Sequence, residues 1–288
     1  MIEILVGGVT LGAVYALIAL GMSLVHAISR VVNLAQGGFV VLAALAAAAL
    51  QGRWHLPLAL VLILVLAAMT ALVAAIEVTV IRPAVRRATP DRLLLVTVGL
   101  LQATGGLLLV AWGNQPYTMP PFTGARPLSL AGVLVPTQTF WVVGALLLAV
   151  LGLWLLLYRT GIGLLLRAAA ENPAAARLSG VDADRVRTLA FALSGLMAGL
   201  AGVMIIPVTF AAFDTTVPYA VNGFIAAVLG GLGRLRGAVA GGLLLGVLEA
   251  VFGRFTSGTL AEVVAIAVLV LLLLLRPGGL FGLAEARR

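Results

Sequence analysis

Apolar positions in this chain fall in long runs separated by short polar or glycine-rich stretches. A membrane-spanning helix needs about 20 mostly apolar residues. The runs predict such helices over 4–28, 33–51, 57–81, 93–112, 138–158, 188–207, 237–253 and 259–275. A further run, 221–233, is too short for an ordinary crossing and reads as a half-helix or re-entrant piece buried in protein. The expected fold is all-α: a single polytopic membrane bundle over 1–288, with about eight or nine transmembrane segments, some of them broken or re-entrant. The first run, MIEILVGGVTLG, lacks a basic n-region and a small-residue cleavage pattern, so it reads as a span and not as a removable leader.

The longest polar interruption is 159–187, RTGIGLLLRAAAENPAAARLSGVDADRVR. Asn172 is a good N-cap, and Pro173 suits the first helical position. Ala174 to Leu178 can form about two turns, and Gly180 can end them in the left-handed conformation. Asp182 or Asp184 can then cap the next helix. A helix this short is not stable alone, so a partner groove is expected to hold it. Glu171, Arg177 and Arg185 can pair across such a contact, and Arg167 belongs to the same polar stretch. The plainer alternative is a connector whose arginines serve only topology.

Two other stretches combine amides with helix-weakening glycines. One is Asn33-Leu-Ala-Gln36-Gly37-Gly38; the other is Asn222-Gly223, followed by Gly230-Gly231-Leu-Gly233. Their opposed directions in the bilayer are what an inverted repeat with broken helices around a central path produces. Asn33, Gln36, Gly37, Gly38, Asn222 and Gly223 are therefore the candidate path residues, with Tyr15 added and Thr97 and Gln102 as weaker members. Simple helix capping by Asn33 and Asn222 is the alternative, as is interhelical bonding by Tyr15 and Gln102. Small residues at four-residue spacing (Gly8, Gly12, Ala16; Gly195, Gly199; Gly233, Gly237, Gly241; Gly242, Gly246, Ala250) predict close helix packing. The Pro- and Gly-rich stretch 113–137 reads as an outside loop that packs on the outer face or contacts an external partner, with a solvated connector as the plainer alternative.

Composition sharpens this picture. Hydrophobic residues make up 62% of the chain and charged ones only 10%, against about 25% charged in soluble domains. The net charge of +8 comes from arginines in short loops, where such residues orient a chain in the bilayer. With 159–187 placed in the cytoplasm and each segment crossing, fifteen of the eighteen arginines lie inside, leaving Arg53, Arg126 and Arg254 outside. That bias predicts an N-out, C-in layout. Aromatic residues are too few for a base-stacking surface, so nucleic acid is not expected. Without cysteine there is no thiolate metal site or cysteine nucleophile. Without lysine there is no P-loop, so any ATP hydrolysis belongs to another chain, and no cofactor is expected on this one. Glu77, one turn from Arg82, and Glu249 and Glu262, in reach of the outer surface with Arg254, suit interfacial pairing better than a mid-membrane proton relay. His26 and His55 are too far apart to form a metal site, and no hydrolase motif is present.

The segment VTLGAVYALIALGMSLVHAISRVVNLAQGGFVVLAA resembles the N-terminal region of permease subunits from high-affinity branched-chain amino acid ABC transporters. RAAAENPAAARLSGVDADRVRTLAFALSGLMAGLAGVM is similar to their cytoplasmic loop and following helix, and NGFIAAVLGGLGRLRGAVAGGLLLGVLEA to their glycine-rich C-terminal region. Gln36 stands where that family commonly has a histidine. The resemblance implies an importer of the bacterial inner membrane, with two ATPase subunits, a second and different permease, and an external solute-binding protein. It also implies cargo among branched-chain or related amino acids, urea or short amides. An ion-coupled transporter working alone and a membrane enzyme are the competing classes.

Overall fold

The computed structural model describes residues 2–87, 90–124, 127–130, 133–255 and 267, and all structural statements concern those residues. The helices in chain order are α1 (Ile2–Ser29), α2 (Gln36–Trp54), α3 (Leu58–Ile76), α4 (Arg82–Arg87), α5 (Pro90–Trp112), α6 (Thr137–Arg159), α7 (Gly161–Glu171), α8 (Pro173–Leu178), α9 (Ala183–Ile205), α10 (Thr216–Gly230) and α11 (Leu235–Phe255). A π-helical turn, Glu77–Ile81, joins α3 and α4 into one continuous rod. Among the described residues, seven helices are long and apolar enough to span a bilayer. The expected span 259–275 lies outside the described residues.

The short run expected at 221–233 is α10, shifted towards the N-terminus and 15 residues long. At about 1.5 Å per residue it covers some 22 Å, less than the hydrocarbon thickness. It enters from an irregular stretch, 206–212, held by the loop before α6. Tyr117 and Ala211 exchange backbone hydrogen bonds of 2.9 Å in both directions, and the Met119 amide reaches the Ile206 carbonyl. That loop carries a small antiparallel hairpin, β1 (Leu128–Leu130) with β2 (Val133–Val135). The 113–137 loop packs on the bundle through Met119 and Val135, while most of its other described residues are exposed.

The core forms around α1, whose side chains are buried almost continuously from Gly12 to Val25. α11 runs antiparallel along it at backbone contact. A methyl group on Gly8 would stand 2.9 Å from Val247 Cα, and one on Gly242 or Gly246 would overlap the backbone of Ala16 or Gly12. Gly195 lets α9 approach α3 in the same way, because a methyl there would lie 2.5 Å from the Met69 carbonyl oxygen. Small-residue stripes thus do what their spacing predicts: without a hydrophobic drive between helices in lipid, close approach supplies the packing energy. By contrast α3, α5 and α6 keep Ile63, Leu95, Leu107 and Leu148 on the outside of the bundle. Gly246→Leu is expected to overpack the α1–α11 seam, lowering stability by about 1–3 kcal/mol. A thermal scan in detergent would read this as a reduced Tm, whereas Gly52→Ala, where the added Cβ meets nothing within 4 Å, does not lower Tm.

One helix escaped the sequence pattern. The stretch expected to hold a single short helix holds two, because α7 precedes α8. Thr160 leaves helical geometry, and its hydroxyl accepts from the Gly163 amide at 3.0 Å, starting α7 immediately after α6. Leu166 and Ala169 then pack inward, folding the segment back against the bundle.

Candidate functional site

The broken stretch before α2 is buried. Thr97, wholly enclosed on α5, donates to the Val32 carbonyl at 3.0 Å and pins the backbone beside Asn33. The Asn33 side chain is only 1% exposed, yet neither end of its amide meets a described hydrogen-bond partner. Such a group costs about 1–3 kcal/mol unless something satisfies it. Gln36 is different. Its Nε2 donates to the Ser194 carbonyl at 3.0 Å and its Oε1 accepts from the Ser194 hydroxyl at 2.7 Å, joining α2 to α9. Gly37 sits against the backbone of Thr216 and Ala220 on α10, Gly38 against Thr104, and Gly223 against Ile18. These glycines admit neighbouring helices where any side chain would collide.

Tyr15 and Asn222 meet, although they are 207 positions apart. Asn222 Nδ2 donates to the Tyr15 hydroxyl at 3.2 Å, and that hydroxyl donates to Glu249 Oε2 at 2.8 Å. Three helices, α1, α10 and α11, thus contribute one polar group each to a single cluster inside the apolar bundle. Glu249 was expected near Arg254 at the outer surface; the α1–α11 seam brings it to Tyr15. Gln102 joins none of this, because its side chain faces the outside of α5.

Above the cluster, at the α1 N-terminal end, lies a cavity of about 620 Å³ lined by Thr10, Pro121, Gln138, Thr139, Pro207 and Ala250. The Thr10 and Thr139 hydroxyls lie 2.8 Å apart. Gln138 Oε1 accepts from the Phe122 amide at 3.3 Å, while its Nε2 has no described partner. Sequence reasoning missed these groups, because Gln138 and Thr139 look like the ordinary polar start of a span.

At the opposite, arginine-rich end, α8 has the geometry its sequence predicts. Asn172 Oδ1 accepts from the Ala174 and Ala175 amides at 3.1 and 3.0 Å, and Pro173 occupies the first helical position. Gly180 closes the helix at φ +84°. Asp182, not Asp184, caps α9 and pairs with Arg185 at 3.1 Å. Apart from Ala176, α8 is exposed, and so are Glu171 and Arg177; Leu178 is 91% exposed. Arg167 lies apart from this surface, with its guanidinium 4.8 Å from the Tyr158 ring centroid.

Directly beyond α8, the first turns of α9 enter an ion network. Glu77, 0% exposed, accepts from Arg82 at 2.9 Å, Arg187 at 2.8 Å and Thr188 at 2.7 Å. Asp184 binds Arg187 at 2.6 Å and Arg86 at 2.5 Å. The Glu77–Arg82 pair was legible one turn apart. The long-range partner Arg187 was not, since it read as one more loop arginine.

Buried amides in a bundle with seven span-length apolar helices, a cavity at the α1 N-terminal end and an exposed capped helix at the arginine-rich end define a polytopic helical membrane protein of the transporter class. Residues 4–273 match the family model described as branched-chain amino acid transport system / permease component. The chain is 31% identical over 301 residues to the high-affinity branched-chain amino acid transport system permease protein LivH of Salmonella typhimurium, covering 98% of this chain and 95% of that protein. It is 28% identical over 302 residues to the corresponding permease protein BraD of Pseudomonas aeruginosa, covering 99% and 96%. Among solved structures, PsaBC from Streptococcus pneumoniae in complex with Fab aligns with a TM-score of 0.46 and 17% identity, over 94% of this chain and 87% of that one. The chain belongs to the branched-chain amino acid transport system permease family.

Proposed function

We propose that this permease forms the membrane path of an ATP-driven importer of branched-chain amino acids in the bacterial inner membrane. Two ATPase subunits consume the ATP, and α8 docks in a groove on one of them. A solute-binding protein delivers cargo at the opposite face, and a second, different permease completes the path. The arginine-rich end is cytoplasmic and the N-terminus lies outside, in keeping with the arginine bias.

The observation that carries this reading is α8 itself. It is too short to be stable unaided, capped at both ends, exposed for docking, and continuous through Asp182 with α9 and the Glu77 network. A displacement of α8 therefore reaches α3 and α4 through charged hydrogen bonds and not through a slack loop. Along the path, Gln138 and the threonines of the outer cavity, the Tyr15–Asn222–Glu249 cluster and Asn33 offer neutral donors and acceptors with one carboxylate. A zwitterionic amino acid needs such partners without being held tightly. Gln36, Gly37, Gly38 and Gly223 form the wall that keeps these helices in contact.

The test is uptake of labelled leucine into proteoliposomes containing the permease assembled with its ATPase and partner permease, with binding protein supplied. Uptake requiring ATP is expected, with leucine, isoleucine and valine competing and urea not competing. Uptake by this chain alone, driven by a proton or sodium gradient, would refute the reading.

A further inference from the structure

A second cavity, of about 480 Å³, opens at the arginine-rich end between the last turn of α1, the end of α6, α7 and the start of α11. Its floor is apolar, built from Leu24, Ile28, Leu157, Leu166 and Leu235. Its polar lining contains three arginines, Arg167, Arg234 and Arg236, and no acidic residue. Among the described residues, the ion pairs of this protein use Arg82, Arg86, Arg185 and Arg187 and none of these three. The Arg167 Nε is enclosed and without a described partner, while its guanidinium carbon stands 4.8 Å over the Tyr158 ring centroid. A guanidinium held this way is ready for a two-pronged contact with a planar or tetrahedral oxyanion.

We infer that this cleft binds one anionic phospholipid of the leaflet on the arginine-rich side. The headgroup phosphate takes Arg167, Arg234 and Arg236, and an acyl chain lies along the leucine floor. Basic pockets between membrane helices at this depth recognise anionic headgroups. α7 supplies an independent observation. One of its faces packs inward through Gly163, Leu166 and Ala169, while Ile162, Leu164 and Leu165 remain exposed beside Arg167. That is the pattern of a helix lying in the membrane surface with leucines in the acyl boundary. Exposed apolar side chains clustered like this mark a contact surface, and the three arginines beside them, with no acidic residue in the cleft, favour an anionic membrane surface. A soluble phosphate would leave the apolar floor uncovered, and a choline headgroup would set its own cation beside three arginines.

Native mass spectrometry of the full chain in detergent tests this, with added dioleoylphosphatidylglycerol or dioleoylphosphatidylcholine. Phosphatidylglycerol adducts are expected to survive activation that strips phosphatidylcholine. Arg167→Gln, Arg234→Gln and Arg236→Gln should each lower retained phosphatidylglycerol by about fivefold, while Arg53→Gln leaves it unchanged. A Tm in lipid-free detergent equal to wild type shows that each variant is folded. The exposed Arg236 keeps the test open if the half-buried Arg167 variant is unstable. Equal retention by wild type and the three variants overturns the proposal, as does equal retention of the two lipids. Displacement of the lipid by inorganic phosphate also overturns it, because the site would then take phosphate without its lipid.

Discussion

Glu77→Ala is expected to destabilise the permease by about 3 kcal/mol, the low end of the cost of breaking a buried ion pair, because it removes one of the two carboxylates that neutralise a buried guanidinium. The stranded group is Arg187, whose side chain is 8% exposed and whose Nε binds Glu77 at 2.8 Å. Arg82 suffers less, because at 24% exposure it can turn to water. Asp184 remains on Arg187 but is itself shared with Arg86. The penalty therefore comes from a buried guanidinium left with only a shared carboxylate. This has a measurable signature: the double variant Glu77→Leu with Arg187→Met should recover most of the lost stability, since it removes both charges together. Thermal unfolding in detergent reads both variants. A double variant as unstable as the sum of its two single variants would show that the network contributes through geometry and not through charge pairing.

The same residues show how much of the molecule could be read from its sequence. Helices with a strong apolar pattern were legible to within a few residues, and the glycine stripes identified close seams because a four-residue spacing admits only one face of a helix. The caps of α8 were legible because Asn172 and Gly180 act on backbone groups two or three positions away, and the α9 cap was legible as one of two neighbouring aspartates, of which Asp182 takes the role. Pairings across the bundle were not. Glu77 and Arg187 are 110 positions apart, and Tyr15 and Glu249 are 234 apart. Glu77 and Glu249 look like ordinary interfacial residues, Arg187 like a loop arginine and Tyr15 like a mid-span polar group without a named partner, until α3 meets α9 and α1 meets α11. Gln36 invited a role in the path because buried amides are rare. The fold gives it a partner in Ser194 that no local pattern indicates, whereas Asn33, three residues earlier, is left without a described one.

Gly180→Val is expected to reduce coupled transport by about tenfold while leaving the bundle folded. Gly180 holds φ +84° immediately after α8, and its amide closes the helix on the Arg177 carbonyl at 3.0 Å. A β-branched residue in the left-handed region costs about 1–2 kcal/mol. The chain can escape that cost only by rotating α8 out of its position between Asn172 and Asp182. Such a loss reduces the correctly aligned population of α8 by roughly tenfold, and docked ATPase can drive only that population. The bundle itself barely depends on α8, in which Ala176 is the one buried residue. Tm should therefore fall little, while ATP-dependent uptake and the stimulation of ATPase activity by loaded binding protein both fall by about an order of magnitude. Gly180→Asn is the discriminating control, because asparagine accepts the left-handed conformation at a helix C-terminus at small cost. It should restore most of the uptake. Equal loss in the Val and Asn variants would mean that the missing side chain matters and not the backbone conformation. Unchanged uptake in Gly180→Val would remove α8 from the coupling mechanism.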